Sequence, residues 1–299
     1  MFSIAFEKRS FETTGSRVAE PRDTTVVIPA FNEGNGIAAT VCGLKSQGFA
    51  EILVIDDGST DDTALRAEEA GARVVRHPYN KGNGAAVKTG IREAASSVVL
   101  LLDADTQHDP KEAGNLIGPI GTYDLVIGAR LLGDQSLVRA TGNAVLRALA
   151  SWLTGRPIPD LTSGYRAAKR QALLDVLHLL PNGFSYPTTS CLALMKSGQS
   201  VLFVPITTKA RVGVSKIRPV RDGFRFILII FKIVTLYAPL RVFAPIAGMS
   251  FFAGVAYGIW NVVKFDKIPM GSALLIQLGV VVFLFGLISE QIASMQDRR

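Results

Sequence analysis

The sequence is poor in the residues that form cross-links and metal clusters. Its two cysteines, Cys42 and Cys191, are far apart in the chain, and its three histidines show no spacing typical of metal ligands. Internal repeats and low-complexity tracts are lacking as well. We therefore expect two reduced thiols, and we exclude both a disulfide framework and a zinc site built from cysteine and histidine.

The chain also lacks a secretory signal, although it contains two long apolar runs. Residues 1–22 have no apolar core and are predicted to form a flexible polar lead-in, so the domain that follows is expected on the cytoplasmic side of the cell membrane. Apolar residues make up 48% of the chain, which is high for a soluble protein. The runs 242–263 and 268–289 are charge-free and about 22 residues long, enough for a helix to cross a bilayer. They predict a transmembrane hairpin over residues 241–292, and a buried core hairpin is the alternative.

Charge is unevenly distributed along the chain. Between Lys209 and Arg241 there are eight basic residues and one acidic residue. The net charge of this segment is therefore +7, the same as that of the whole chain. A nucleic-acid surface is one interpretation. Because the segment adjoins the apolar runs, we favour anionic lipid headgroups, which attract each Lys or Arg by about 1 kcal/mol, and we expect no nucleic-acid partner. Residues 217–240 predict an interfacial amphipathic helix, with a packed core helix as the alternative.

Residues 23–216 alternate strand-like and helix-like segments and predict one α/β domain. Uninterrupted apolar strands indicate a mainly parallel sheet with helices on both faces. Strands are predicted at 24–30, 51–57, 73–77, 97–105, 124–130 and 200–206, and helices in the second half at 138–153, 167–179 and 187–197. Ser59 or Thr60 is the predicted N-cap of the helix that follows the second strand.

Polar side chains follow three of these strands, in the segments 29–33, 56–57 and 103–105. The carboxyl ends of parallel strands share one edge of a sheet, where ligands bind. Mg²⁺ and Mn²⁺ prefer oxygen ligands and bridge substrate phosphates through one or two carboxylates. Asp103 and Asp105, with Gln107 just beyond, therefore predict a metal–diphosphate site, and an ordinary polar strand end is the alternative. The glycines of "NKGNGAAVKTG" permit close backbone approach, but the spacing is not that of a Walker loop.

Seven motifs occur in order and together resemble one family. They are "VVIPAFNEGNGI", "ILVIDDGSTDDT", "NKGNGAAVKTGI", "VLLLDADTQHDP", "LVIGAR", "LTSGYRA" and "RVGVSK". Over roughly residues 24–218 the chain resembles family 2 glycosyltransferases of the GT-A fold. More narrowly, it resembles the polyprenyl-phosphate hexose synthases, which include dolichyl-phosphate mannose synthase and bacterial undecaprenyl-phosphate glucosyltransferases. The resemblance implies a Rossmann-like catalytic domain followed by an interfacial helix and two C-terminal transmembrane helices.

The resemblance also implies the residues of a site. The nucleotide base and ribose would be surrounded by Pro29, Phe31, Glu33, Ile55 and Asp57, and the diphosphate would be lined by Asp103, Ala104, Asp105 and Gln107. Within that set, Asp105 and Gln107 would bind Mg²⁺ or Mn²⁺. The acceptor phosphate would be contacted by Arg130, with Arg139 and Asn143 as a second phosphate-binding pair, and Arg211 and Lys216 would hold donor or acceptor phosphates. Asp160 would either act as a base or orient the arginines.

The implied reaction transfers one hexose, with inversion, from UDP- or GDP-hexose to a polyprenyl phosphate, and its catalytic residues would be Asp103, Asp105, Arg130 and Asp160. Because that phosphate is already an anion, strong base activation is less necessary than for a sugar hydroxyl. One alternative is a processive membrane polysaccharide synthase, whose Gln-x-x-Arg-Trp motif is absent from the sequence. Another is a non-catalytic, membrane-tethered nucleotide-sugar-binding protein, in which degenerate acids are expected. Gly254 and Gly258 form a GxxxG step that predicts either packing within the hairpin or a homo-oligomer contact.

Overall fold

The structure is a computed structural model that describes residues 19–130, 144, 147–152, 154–183, 185–207 and 238–296. The chain divides into two compact units, one containing the sheet and the other containing the C-terminal helices, with residues 152–155 assigned to the latter. Two predicted segments lie outside the described residues, namely 1–18 of the lead-in and 217–237 of the interfacial helix. A third, the helix predicted over 138–153, lies outside them except for residues 144 and 147–152. The predicted domain boundaries stay predictions.

The first unit is built on one seven-stranded sheet with the order β3-β2-β1-β4-β6-β5-β7. Its strands are β1 (Thr24–Ala30), β2 (Glu51–Asp56), β3 (Arg73–Arg76), β4 (Val98–Leu101), β5 (Leu125–Arg130), β6 (Arg166–Lys169) and β7 (Val201–Ile206). All neighbouring strands are parallel except β6, which is antiparallel to both β4 and β5. The predicted α/β fold with a mainly parallel sheet is confirmed.

The burial of the strands follows from their composition. Every residue of β1 and β4 is buried, and so is every residue of β2 and β5 except one at an end of each. Such runs need cover on both faces, which the crossover helices of a parallel sheet provide. Strand β3 is less buried than these strands. It lies at the edge of the sheet and exposes Arg73 and Arg76. Short or charged edge strands resist pairing with other chains.

The helices of the first unit confirm most sequence predictions, with two corrections. They are α1 (Gly34–Ser46), α2 (Thr63–Glu69), α3 (Asn83–Glu93), α4 (Ala113–Ile117), α5 (Arg170–Asp175) and α6 (Tyr186–Lys196). The predicted N-cap at Ser59 or Thr60 is wrong, because α2 begins at Thr63. The predicted helix over 167–179 is also wrong in its first turn, which is strand β6. Four residues are too few to show a strand period, and pairing with two buried neighbours overrides local propensity.

The direction of β6 determines which segments meet. The amino end of β6 lies beside the carboxyl ends of its neighbours, since Arg166 pairs with Leu101 of β4 and with Ile127 of β5. The segment 160–165, which precedes β6, therefore reaches the same edge of the sheet as the residues that follow β1, β2 and β4. This edge is called the polar edge below.

The second unit contains two long apolar helices, α7 (Pro239–Phe265) and α8 (Met270–Gln296). Both are long and apolar enough to cross a membrane, and only 17% of the most apolar window of each is buried within the structure. The helices of a soluble core hairpin would be mostly buried, so this exposure disfavours the alternative of a packed core hairpin.

The GxxxG step of α7 packs against α8 of the same chain. A Cβ at Gly254 would lie 2.9 Å from the backbone nitrogen of Ile276, and one at Gly258 would lie 2.5 Å from Oγ of Ser272. The Ser272 hydroxyl donates a hydrogen bond of 2.7 Å to the carbonyl oxygen of Gly254. Small residues allow this close backbone approach, which is typical of helix pairs in membranes. The contact supports packing within the hairpin, and association between copies stays a prediction.

Candidate active site

The loops after β1 and β2 are joined by side-chain hydrogen bonds. The backbone N–H of Asn32 donates to Oγ of Ser59 over 2.9 Å, while the Asn32 side-chain oxygen accepts from the N–H of Thr60 over 2.9 Å. At the start of α1, the N–H of Gly34 donates to Asp61 over 3.2 Å, which places a carboxylate at the positive end of this helix. The acidic segment after β2 is therefore largely structural, and it fixes the position of the polar loop after β1.

Asp57 shapes the loop that leads into α3. Its carboxylate accepts hydrogen bonds from the backbone N–H of Lys81 over 3.0 Å and of Gly82 over 2.8 Å. It also lies 2.7 Å from Nδ1 of His77, whose other ring nitrogen lies 2.9 Å from the Thr89 hydroxyl. Asp57 and His77 are both buried. Gly82 has a φ of 103°, a conformation that favours glycine. The carboxylate predicted to contact the nucleotide thus also holds residues 81–82 in place.

The turn after β4 positions the two acids of the Asp-x-Asp motif. Thr106 has a φ of 58° in the left-handed region, and the N–H of Gln107 donates to Oδ1 of Asp105 over 3.3 Å. Helix α1 packs against this turn, because a Cβ at Gly36 would lie 2.6 Å from Cγ2 of Thr106. The glycine-rich start of α1 is therefore needed for the close approach of the segments after β1 and β4.

Asp103 lies in an environment that disfavours its ionised form. Burial, reinforced by the neighbouring charge of Asp105, raises the pKa of Asp103 to about 6, although Arg166, Arg130 and a hydrogen bond with the Asn83 side chain act in the opposite direction. Removing a carboxylate from water and placing it beside a like charge both favour the protonated acid. The polar edge therefore contains negative charge that a bound cation would stabilise.

The polar edge surrounds a cavity of about 610 Å³. Among its lining residues are seven of the predicted site residues: Pro29, Phe31, Glu33, Asp57, Asp103, Ala104 and Asp105. Two others lie elsewhere: Ile55 is fully buried within β2, and Gln107 is outside the lining. Five further lining residues have no role predicted from the sequence: Ala30, Asn80, Gly82, Asn83 and Ala86. All of them except Ala30 belong to the segment "NKGNGAAVKTG", whose glycines are the sequence signal for a close approach of the backbone to a ligand.

The donor set of this cavity fits a cation that is bound together with phosphate. Among the residues that the structure describes, no group of three or more His, Cys, Asp and Glu side chains is arranged to hold a metal ion. Asp103 and Asp105 supply two carboxylates whose mutual repulsion a divalent cation would relieve. Mg²⁺ is commonly held by one or two carboxylates plus the phosphates of a substrate. The residues present therefore suit a metal–diphosphate complex.

A second charged group lies at the carboxyl end of β5. The Arg130 guanidinium donates to both carboxylate oxygens of Asp160, from Nε over 2.8 Å and from an Nη over 3.1 Å. Asp160 also accepts from the backbone N–H and the hydroxyl of Thr162, over 2.9 and 3.1 Å. Hydrogen bonds and the charge of Arg130 lower the pKa of Asp160 despite its burial. A carboxylate engaged in this way is a weak base and a firm support for the arginine.

The remaining predicted phosphate contacts lie outside the described residues. These are Arg139 and Asn143 in the segment after β5 and Arg211 and Lys216 after β7. The structure therefore brings together Asp103, Asp105, Arg130 and Asp160 at one edge of the sheet and leaves the other four contacts as predictions.

The sequence matches two protein families. Residues 25–177 match the family described as glycosyl transferase family 2, and residues 238–295 match one described as the GtrB C-terminal hairpin. Glycosyltransferase AglJ of Haloferax volcanii is 30% identical over 290 residues, which cover 92% of this chain and 95% of AglJ. The dolichyl-phosphate hexose transferase of Haloferax volcanii is 30% identical over 207 residues, which cover 67% of this chain and 89% of that protein.

Solved structures share the fold of the first unit. Glucosyl-3-phosphoglycerate synthase from Mycobacterium tuberculosis, in complex with Mn²⁺, UDP and glucosyl-3-phosphoglycerate, matches with a TM-score of 0.58 at 23% identity. The match covers 71% of this chain and 78% of that chain. At this identity the likeness shows a common fold.

Proposed function

Because this chain belongs to glycosyl transferase family 2, we propose that it transfers a single hexose from a nucleoside-diphosphate sugar to a polyprenyl phosphate. The observation that carries the proposal is the meeting of the Asp103–Asp105 acids and the Arg130–Asp160 pair at one edge of the sheet. The first pair suits a metal-bound diphosphate, and the second offers a fixed cation for an acceptor anion. The relative described as a dolichyl-phosphate hexose transferase supports a polyprenyl-phosphate acceptor.

The donor would occupy the cavity at the ends of β1 and β4. Phe31 lines this cavity with 43% of its surface exposed, so its ring is free to stack on a nucleobase. Asp57 would act by fixing the loop of Asn80 and Gly82, two residues that line the same cavity. The donor base, uracil or guanine, is left open by these contacts.

Asp105 and Gln107 would hold Mg²⁺ or Mn²⁺, with Asp103 on the diphosphate side. The solved relative that shares the fold contains Mn²⁺ and UDP, which supports a divalent cation. When bound, the cation would neutralise charge that develops on the leaving nucleoside diphosphate. The contribution of the chain is to keep the two carboxylates close together, at the cost reflected in the raised pKa of Asp103.

Arg130 would bind the acceptor phosphate and align it with the anomeric carbon. One phosphate oxygen would form the new bond to that carbon while the bond to the diphosphate oxygen breaks, so a single displacement inverts the centre. The phosphate is already anionic, and the nucleophile therefore needs no proton transfer to a base. We assign Asp160 the role of orienting Arg130, because Arg130 and Thr162 donate to both of its carboxylate oxygens.

The hairpin would span the membrane and hold the catalytic unit at the cytoplasmic face. The match to the GtrB C-terminal hairpin covers both apolar helices. The basic segment from Lys209 to Arg241 leads into the first turn of the first helix, and cytoplasmic flanks of membrane helices are enriched in Lys and Arg. This orientation would place the acceptor headgroup on the side where nucleotide sugars are made.

Membranes containing the full chain test the proposal directly. They would be incubated with labelled UDP-glucose, UDP-galactose or GDP-mannose and a polyprenyl phosphate, with and without EDTA. We expect one donor to label an organic-extractable lipid, and we expect EDTA to abolish the labelling and added Mg²⁺ or Mn²⁺ to restore it. Label in a water-soluble polymer would instead favour a processive synthase. Binding of a nucleotide without any transfer would favour a non-catalytic protein.

A further inference from the structure

Arg166 is fully buried next to the acids of the polar edge, and its direct partners are neutral. Its guanidinium donates to the carbonyl oxygen of Ser163 from two nitrogens, to the carbonyl oxygen of Pro187 over 2.8 Å and to the Ser190 hydroxyl over 2.9 Å. Within the part of the chain that the structure describes, Arg166 forms no salt bridge. It is also among the largest side chains that are buried completely in the described part of the chain.

A charge in this position is costly for folding. Burying a charged group away from water is unfavourable unless an opposite charge compensates. Pro187 and Ser190 lie in the first two turns of α6, at the positive end of that helix, so the helix dipole opposes the guanidinium as well. Burial accordingly lowers the pKa of Arg166. Hydrogen bonds alone could be supplied by a neutral side chain, and the retention of a full charge therefore requires another explanation.

The nearest explanation is the acidic strand end. Arg166 holds the carbonyl of Ser163, and the next residue, Gly164, packs directly on Asp103, because a Cβ at Gly164 would overlap Oδ2 of that aspartate. The charges of Arg166 and Asp103 also interact with each other. The Arg166 guanidinium is thus a fixed positive charge within the sheet, next to the carboxylates that face the proposed donor cavity.

We propose that Arg166 is a positioning residue of the donor site, whose fixed positive charge strengthens binding of the nucleoside diphosphate and weakens binding of a bare divalent cation. The inference rests on the proposed function, since it assumes a metal–diphosphate donor. Two carboxylates, a divalent cation and a diphosphate leave excess negative charge in the cavity, and Arg166 offsets part of it. For the cation alone, the same charge is repulsive. The site would therefore favour a cation that arrives with the nucleotide.

The effects of removing the charge have opposite signs for the two ligands. At separations of several ångströms in a protein, one unit charge changes the affinity of another by a factor of about ten. We expect Arg166→Gln to raise the Kd of UDP or GDP, measured by calorimetry with saturating Mn²⁺, about tenfold. We expect the same variant to lower the Kd of Mn²⁺ alone, measured from the free-ion EPR signal, by about threefold or more.

Two further variants of the full-length protein in detergent make the test specific. Arg166→Lys keeps the charge and loses the paired hydrogen bonds to Ser163, so both Kd values are expected within about threefold of the wild type. Arg170→Gln is the matched control: Arg170 lies in the same segment at the opposite edge of the sheet and donates to the carbonyls of Ile91 and Arg92. It removes the same charge and is expected to change neither Kd by more than about twofold.

Several results would overturn the inference. It is wrong if Arg166→Gln leaves both affinities unchanged, or weakens both as a general loss of structure would. Should that variant fail to fold, the lysine variant decides: a tenfold loss of UDP and GDP affinity would show that geometry and not charge is at work. If the wild type binds neither UDP nor GDP, the proposed function fails and the inference with it. If the wild type binds and the variants do not differ from it, the inference alone fails.

Discussion

The two charged groups of the polar edge differ in the signs of the charges that they bring together. On the proposed donor side, Asp103 and Asp105 place like charges together, and burial with that repulsion raises the pKa of Asp103 to about 6. On the proposed acceptor side, Arg130 and Asp160 place opposite charges together at 2.8 Å, and hydrogen bonds together with the charge of Arg130 lower the pKa of Asp160. The two carboxylates repel each other until a cation binds, whereas the charges of Arg130 and Asp160 already balance each other within the chain.

Under the proposed function, this difference predicts how the donor and the acceptor are bound. A site of like charges gains the most when a metal and a diphosphate enter together, so it favours the donor complex over either component. A preformed Arg–Asp pair keeps a guanidinium in a fixed direction at little cost, which suits an acceptor whose charge is already present.

We expect the replacement of Asp105 to have the largest effect on transfer. Arg130 and its partner remain intact in Asp105→Ala, but the predicted metal ligand is gone, so we expect transfer to polyprenyl phosphate to fall at least about 1000-fold. The initial rate of label entering extractable lipid measures this. Asp109→Asn is a matched control from the same loop, since its carboxylate accepts from the N–H of Lys111, and it should retain activity within about threefold. Full activity of Asp105→Ala would remove the metal site from the proposal.

On the acceptor side, Asp160→Asn separates a base from an orienting residue. If Asp160 orients Arg130, the variant should raise the KM for polyprenyl phosphate by about tenfold to 100-fold and change kcat by less than about tenfold. The shape of the pH–rate profile should stay unchanged. A base would instead give a large loss of kcat and the loss of the acidic limb of that profile. Arg130→Lys retains the charge without the paired hydrogen bonds and should show a similar KM effect.

The strain on the donor side should be visible as a pH-dependent stability. Because the pKa of Asp103 is raised from 3.8 to about 6 in the folded chain, its contribution to stability is fully present below the unfolded value and is lost as the pH rises through about 6. In EDTA, we therefore expect Asp103→Asn to match the wild type in Tm near pH 4 and to exceed it by a few degrees near pH 7. Circular dichroism of the detergent-solubilised protein measures both values.

The same measurement has a control and a clear contrary result. Asp109→Asn, which neutralises a carboxylate in the same loop, should give a Tm difference from the wild type that does not grow between pH 4 and 7. Equal Tm values for Asp103→Asn and the wild type at both pH values would mean that the two acids are not strained in the metal-free protein. The contrast between the two sides would then be wrong.

Much of the fold could be predicted because its signals are local. The buried strands β1, β2, β4 and β5 are uninterrupted apolar runs, and the two apolar helices exceed the length of a bilayer core. The acids after β4 could be placed at the ligand edge because the carboxyl ends of parallel strands share that edge. The prediction is wrong at β6, because the sequence from 167 onward predicts a helix where the chain forms a strand.

The proposed donor side can be predicted from local sequence, because apolar strands that end in Asp103 and Asp105, together with a charge-free hairpin, follow from composition and period alone. The antiparallel direction of β6 between β4 and β5 is visible only in the folded chain. That direction brings Asp160 to Arg130 and leaves Arg166 buried beside Asp103. The physical reason is that a four-residue strand has too few side chains to show a period, so its place is set by the hydrogen bonds of its two buried neighbours.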